Sequence, residues 1–283
     1  MMQLEKSYEW GRFGVALVTP DDSAFGGLAA EILGRPHPMG PPPESLQRAA
    51  VLVNRSGQAI VALAYIWRYT AADGRTTVHS HTNFGSSIQL DVLAGRAAVV
   101  RDRFSFILPG AKRLITEDGL FGDNADVLLP EEVRLGGGFG VSRAGSGRRG
   151  GAGEETAAAE LQLDAVFFED GVCAGPGELG LFESVTEDLE RQRSVAGDIV
   201  EVLRSGGTAG QVFEILSPLA RRPAAGAEAR HQGKHTARLL PMFASMGIHQ
   251  LIQAGDAEVR EWFERAAQAP AARMRRAPPD PEP

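Results

Sequence analysis

The hydrophobic period of the chain changes once, at Gly180, and the change divides what can fold here into a sheet region and a helical region. Before Gly180 the apolar residues come in short alternating or continuous runs separated by turn residues. After it, Leu181, Phe182, Val185, Leu189, Ala196, Ile199, Val200 and Leu203 recur at steps of three and four. A period of two cannot bury one face of a helix, nor a period of 3.6 one face of a strand, so the two halves require different architectures.

The first half reads as strands. Ala50–Asn54 is an apolar run ended by Asn54-Arg55-Ser56-Gly57, a turn sequence. In Gln58–Thr70 one face carries Val61, Leu63, Tyr65, Trp67 and Tyr69, and the other Ile60, Ala62, Ala64, Ile66 and Arg68. Both faces are apolar for most of the length, which predicts a central strand. Ala71-Ala72-Asp73-Gly74 is a hairpin signal, because Asp-Gly takes positive φ readily, and Arg75–Thr82 would return antiparallel. Ser87–Leu93, Ala97–Arg101, Phe104–Leu108 and Lys112–Thr116 are further strand candidates, the last two divided by Pro109-Gly110. Leu161–Phe168 alternates and ends at Glu169-Asp170-Gly171. Short strands with turns at this spacing predict an antiparallel β-sandwich.

In the second half, Gly206-Gly207 stops the first helix and Thr208 caps a second carrying Val212, Phe213, Ile215 and Leu216, ending near Pro218. A third is predicted over His235–Ala254, broken or started at Pro241. Asp256 caps a fourth with Val259, Trp262, Phe263 and Ala266 on one stripe. The fold class is α+β: an antiparallel β-sandwich followed by a small C-terminal helical region. Residues 1–45 read as an N-terminal extension with a Pro-rich linker, and 46–178 as the sandwich with a flexible Gly-rich loop over 136–155. Residues 179–268 form the helical region and 269–283 a disordered tail.

Val51-Leu-Val-Asn-Arg-Ser-Gly-Gln-Ala-Ile-Val-Ala-Leu-Ala-Tyr65, with Asp73-Gly74 and Ile107-Leu-Pro-Gly110, resembles the early strands of bacterial immunoglobulin-like sandwich domains. Val166-Phe-Phe-Glu-Asp-Gly171, leading into an acidic helix, is similar to uncharacterised acidobacterial-type proteins. The resemblance covers roughly residues 50–205 and rests on turn patterns. It implies an immunoglobulin-like β-sandwich and carries no activity.

Charge is uneven. The net −7 arises in residues 154–201, which hold 13 acidic and 2 basic residues, whereas residues 221–283 hold 10 basic and 7 acidic. Glu183, Glu187, Asp188, Glu190, Asp198 and Glu201 read as a solvated helix face. The alternative is that this face docks the basic C-terminal run Arg260, Arg265, Arg273, Arg275 and Arg276, within one chain or between two. The acidic balance speaks against nucleic acid as a partner. One cysteine excludes an intramolecular disulfide and any several-thiolate zinc site. No apolar run reaches 18 residues and no secretory signal opens the chain, so a soluble, cytoplasmic protein without a membrane span is expected.

The chemistry-bearing residues do not converge in the sequence. His79 and His81 would share one strand face, and His231 and His235 have i, i+4 spacing interrupted by Gly233; a carboxylate near either pair would complete a metal site, and against that stand ordinary hydrogen-bonded histidines. Gly145-Ser-Gly-Arg-Arg-Gly150 matches a dinucleotide fingerprint in form only, because no helix pattern follows it. Cys173 lies in a turn-rich connection beside acidic residues that would raise its thiol pKa. Glu117-Asp118, Glu131-Glu132 and Glu169-Asp170 sit in turns, where carboxylates serve solubility. Tyr65, Trp67 and Tyr69 form an aromatic stripe, read as core in preference to a binding face. The expectation is therefore a non-enzymatic protein-interaction or structural module. It has no cofactor, no catalytic residues and no metal ligands assigned, and another protein or a second copy as partner. A metal-assisted hydrolase using the histidines is the alternative.

Overall fold

The computed structural model describes residues 2–4, 9–33, 46, 48–83, 87–99, 106–116, 119–122, 156–221, 239–268 and 274–278. These fall into two compact units. One comprises Met1–Asn83, Arg101–Asp164 and Pro279–Pro283, and the other Phe84–Val100 and Ala165–Pro278. The fold is α+β, with largely antiparallel sheets.

The first unit is built on two sheets. β2 (Val15–Val18), β3 (Ala49–Asn54), β6 (Lys112–Thr116) and β7 (Gly119–Gly122) form an antiparallel sheet in that order. One face of it, with Val18, Ala49, Val51, Val53 and Leu114, packs on Phe25, Ala29 and Ile32 of α1 (Phe25–Leu33). At the rim Lys112 Nζ meets the Glu31 carboxylate at 2.6 Å. The second sheet holds β4 (Ile60–Ala71), β5 (Thr76–Thr82) and the start of β8 (Thr156–Phe168), along which β1 (Met2–Leu4) runs parallel. Every residue of β4 from Ile60 to Trp67 is buried, as expected of a strand apolar on both faces. Trp67 Nε1 donates to Thr116 O at 3.2 Å, joining β4 to β6; Tyr65 and Trp67 of the aromatic stripe are buried and Tyr69 is half-buried.

Two turns fix the register. At Asn54 the side chain is fully buried and satisfied: Nδ2 donates to the carbonyls of Gln58 and Ile107, both at 2.8 Å, while Oδ1 accepts from Ser56 N at 3.0 Å and Ser56 Oγ at 2.6 Å. Between β4 and β5, Gly74 takes φ +83° and Asp73 binds Arg75 through its main-chain N–H at 3.0 Å and Nε at 2.6 Å. The Asp-Gly hairpin read from the sequence is therefore present.

The second unit is mainly helical: α2 (Ser87–Leu93), α3 (Leu181–Arg204), α4 (Ala209–Ala220), α5 (Leu239–Gln253) and α6 (Asp256–Gln268). Its core gathers Ala196, Ile199 and Val200 of α3, Val212 and Leu216 of α4, Phe243 and Ala244 of α5, and Val259, Phe263 and Ala266 of α6. Phe243 stacks on Trp262 at 5.0 Å, and both meet Phe263 edge-on. Thr208 and Gln211 form a reciprocal capping box at the start of α4.

Three expectations need correction. Ser87–Leu93 is a helix: Ile88, Leu90 and Val92 alternate, but Val92, Leu93 and Ala94 are buried in succession, which a strand with one buried face cannot do. Its end is set by Gly95 at φ +73° and by the ion pair of Arg96 Nε with Asp91 Oδ1 at 2.8 Å. Asp188, expected on the solvated acidic face, is buried on the same α3 stripe as Val185 and Gln192. And the stretch read as a disordered tail contains β10 (Arg275–Arg276), because the donors of residues 274–277 precede Pro278 and remain free to pair. The loop expected at 136–155 lies outside the described residues, as do His231, His235, Gly145–Gly150, Glu117-Asp118 and Glu131-Glu132.

Candidate functional site

The feature most like a recognition site lies in the second unit, where β8 passes through a turn to β9 (Val172–Ala174) and on to the start of α3. Glu169-Asp170-Gly171 makes the turn: Gly171 takes φ +84° and its N–H reaches Phe168 O at 2.9 Å, while Asp170 Oδ1 accepts from Val172 N at 3.0 Å. β9 pairs antiparallel with β8 on one side, Phe167 facing Cys173 and Val166 facing Ala174. The chain then runs through Gly177 and Gly180, both at positive φ, into α3. That route brings Phe182 against Phe167, ring centroids 6.5 Å apart, and sets Glu183 in the first helical turn, where the helix dipole favours a carboxylate.

The other edge of β9 is occupied by the C-terminal segment. β10 lies parallel to it, Arg275 beside Val172 and Arg276 beside Cys173. Main-chain N–H groups of Arg275 and Ala277 donate to the carbonyls of Gly171 and Cys173, at 3.0 and 2.7 Å. Met274, just before β10, is buried, 9% exposed. Each arginine finds an acid. Arg276 Nη2 lies 2.6 Å from Glu183 Oε1, and its guanidinium carbon is 5.3 Å from the centroid of the Phe182 ring. Arg275 Nη2 lies 3.4 Å from Asp170 Oδ2. Under the Arg276 guanidinium sits Gly177, where a Cβ would come within 2.7 Å of Nη2. A side chain there would require the flexible guanidinium to shift. The basic C-terminal segment thus docks on an acidic surface within one chain, at Asp170 and the first turn of α3.

The forces are individually small. Arg276 and Glu183 keep 42% and 60% of their side-chain surface, so the pair is worth about 0–1 kcal/mol and is screened by salt. An exposed cation–π contact adds about 0.5–1 kcal/mol and each main-chain bond about 0.5–1.5 kcal/mol. Specificity comes from their combination. A β edge reads extended backbone, and carboxylates beside an aromatic face read arginine.

The other candidates gather elsewhere or not at all. His81 stacks on Tyr65 at 5.0 Å and His79 meets Tyr69 edge-on at 5.4 Å, so both imidazoles pack as aromatic rings on β5. Among the described residues no three His, Cys, Asp or Glu side chains come together in a way that could hold a metal ion. Tyr65 and Trp67 are buried in the core. The Cys173 thiol is buried, 4.0 Å from Ala174 O, and Asp170 serves its own turn and Arg275. An open recess of about 400 Å³ between α3 and α6 has Gly197, Val200 and Ala267 in its wall and the Arg204–Glu264 pair among its lining. Glu201 and Gln268 complete its lining.

Sequence reasoning found the acidic helix and the basic segment but missed Phe182, Gly177 and Met274 as partners. Only the charge asymmetry pointed to the contact. No helix among the described residues is long and apolar enough to cross a membrane. Comparison with protein-family models, with curated proteins and with solved structures finds no match.

Proposed function

We propose that this protein is a non-enzymatic interaction module, an immunoglobulin-like sandwich with a helical region, that takes an extended basic segment by strand addition at β9. The observation that carries the reading is Arg276 in its seat: backbone paired to β9, guanidinium on Glu183, over Phe182 and above Gly177. A strand edge that binds one such segment has the chemistry to bind another. The two sheets linked by the Trp67–Thr116 hydrogen bond support the sandwich reading, and the lone cysteine fits a reducing, cytoplasmic setting.

The test is binding of a synthetic peptide with the sequence of residues 272–279. The binder is the full chain carrying Arg275→Ala and Arg276→Ala, in which the resident strap is weakened. That variant is expected to bind the peptide at least about tenfold more tightly than the unmodified chain, because a tethered strap competes at about millimolar effective concentration. Adding Glu183→Arg to the variant should abolish binding. Absence of binding by the weakened-strap variant up to millimolar peptide would end the proposal.

A further inference from the structure

We infer that the strap Met274–Ala277 exchanges between two copies, making a second copy of this chain the partner at β9, in a reciprocal strand-exchanged dimer. This rests on the strand-addition reading above and names its occupant.

The occupant is identified by what fits. The site asks for a buried apolar residue, then two arginines on an extended backbone, the first meeting Asp170 and the second Glu183 and Phe182. A second copy carries that segment with every contact intact, and a two-fold exchange satisfies both sites at once, as a closed isologous dimer requires.

Detachment is easy in physical terms. The ion pairs are exposed and salt-screened, and the ladder with β9 spans only the two residues Arg275 and Arg276. Residues 269–273 connect it to α6, a span of at most about 17 Å when extended. Such a connector allows return to the same copy or, at high protein concentration, capture by another. Tethering gives the same-copy contact an advantage of about millimolar effective concentration. Exchange is therefore expected to rise with protein concentration and to freeze when salt is lowered.

Complementary charge reversal tests this in the full chain. One variant carries Asp170→Arg with Glu183→Arg, the other Arg275→Glu with Arg276→Glu. Each alone repels its own strap and is expected to run as a monomer. In an equimolar mixture at about 100 µM, straps of each can satisfy sites of the other, and both sites are restored only in the heterodimer. At least about tenfold more dimer in the mixture than in either variant alone, lost in molar salt, is the expected result in size measurement with native mass spectrometry. A mixture that remains monomeric overturns the inference. One chain with all four substitutions should regain amide protection at Ala277 in the monomer, confirming that reversed charges still support docking.

If a reversed variant fails to fold, the unmodified chain gives the answer. It is held at about 1 mM in molar salt and returned to low salt before dilution. Trapped dimer supports exchange, and monomer alone overturns it. Peptide binding to the weakened-strap variant without any dimer would leave the strand-addition reading standing and remove the exchange. No peptide binding would remove that reading itself.

Discussion

A Cβ placed on Gly177 would lie 2.7 Å from Nη2 of Arg276, so an alanine there requires the flexible guanidinium to shift from its place. Gly177 also takes φ +73°, which a side chain resists by about 1–2 kcal/mol. Gly177→Ala is expected to lower stability by about that amount and to displace the guanidinium from Glu183 and Phe182. The second effect separates from the first by hydrogen exchange. The Arg275 and Ala277 amides should lose about tenfold protection in Gly177→Ala. They should keep it in Gly74→Ala, where φ is +83° but nothing lies within 4 Å of a Cβ. Equal protection in both variants would show that Arg276 does not depend on the glycine.

The sequence made some of this arrangement readable and hid the rest for physical reasons. Asp73-Gly74 and Thr208 with Gln211 are local devices, each encoded within four residues, and both appear where the residues announce them. The change of period at Gly180 is readable because α3 is long enough to repeat its stripe many times. Ser87–Leu93 is too short for that, and its apolar residues fit either period. β10 carries no hydrophobic pattern at all: two arginines ahead of prolines pair through their backbone, and only their charge hinted at Glu183. Phe182 was read as one residue of a helix stripe, and its role as the face beneath an arginine depends on how β9 meets α3, which no local signal specifies.

Two helix glycines should respond in opposite directions. Gly197 lies inside α3 with nothing within 4 Å of a Cβ, so Gly197→Ala gains helix propensity without a clash, about 0.5–1 kcal/mol. Gly247 lies where α5 meets α4 and α6, and its Cβ would stand 2.9 Å from Leu216 Cδ1 and 3.0 Å from Phe263 Cζ. Overpacking costs about 1–3 kcal/mol, enough to outweigh the propensity gain. Urea denaturation should show a higher midpoint for Gly197→Ala and a lower one for Gly247→Ala. The same sign for both would refute the packing argument.

Asp73 offers a titration test of the hairpin. Its side-chain hydrogen bond from Arg75, followed by the Arg75 main-chain N–H, holds the carboxyl below its usual value. A depressed carboxylate contributes stability above its unfolded pKa and loses it as pH falls through the folded one. The group is fully exposed, so the effect on overall stability should be slight, and the local signature is the better measurement. In the folded protein the Asp73 carboxyl carbon should titrate by NMR below the usual aspartate range, and in Arg75→Ala it should return towards it. An unchanged titration in that variant would remove Arg75 as the cause.

Gln192 presents the opposite case, a polar group with nothing to hold. It is fully buried on the α3 stripe, and neither Oε1 nor Nε2 has a hydrogen-bond partner. An unsatisfied buried amide costs about 1–3 kcal/mol, because the water it leaves is not replaced. Methionine has nearly the same length and flexibility without the polar atoms, so Gln192→Met should remove that penalty with little change in packing. The expected result is a rise of about 1 kcal/mol in unfolding free energy, with an unchanged denaturant slope marking an effect on stability and not on the unfolded chain. Gln192→Ala provides the contrast. It removes the same polar atoms but leaves a cavity, and should gain less or lose stability. If Gln192→Met instead destabilises the protein by as much as Gln192→Ala, the amide is satisfied in solution, and the residue belongs to a polar site in place of a core.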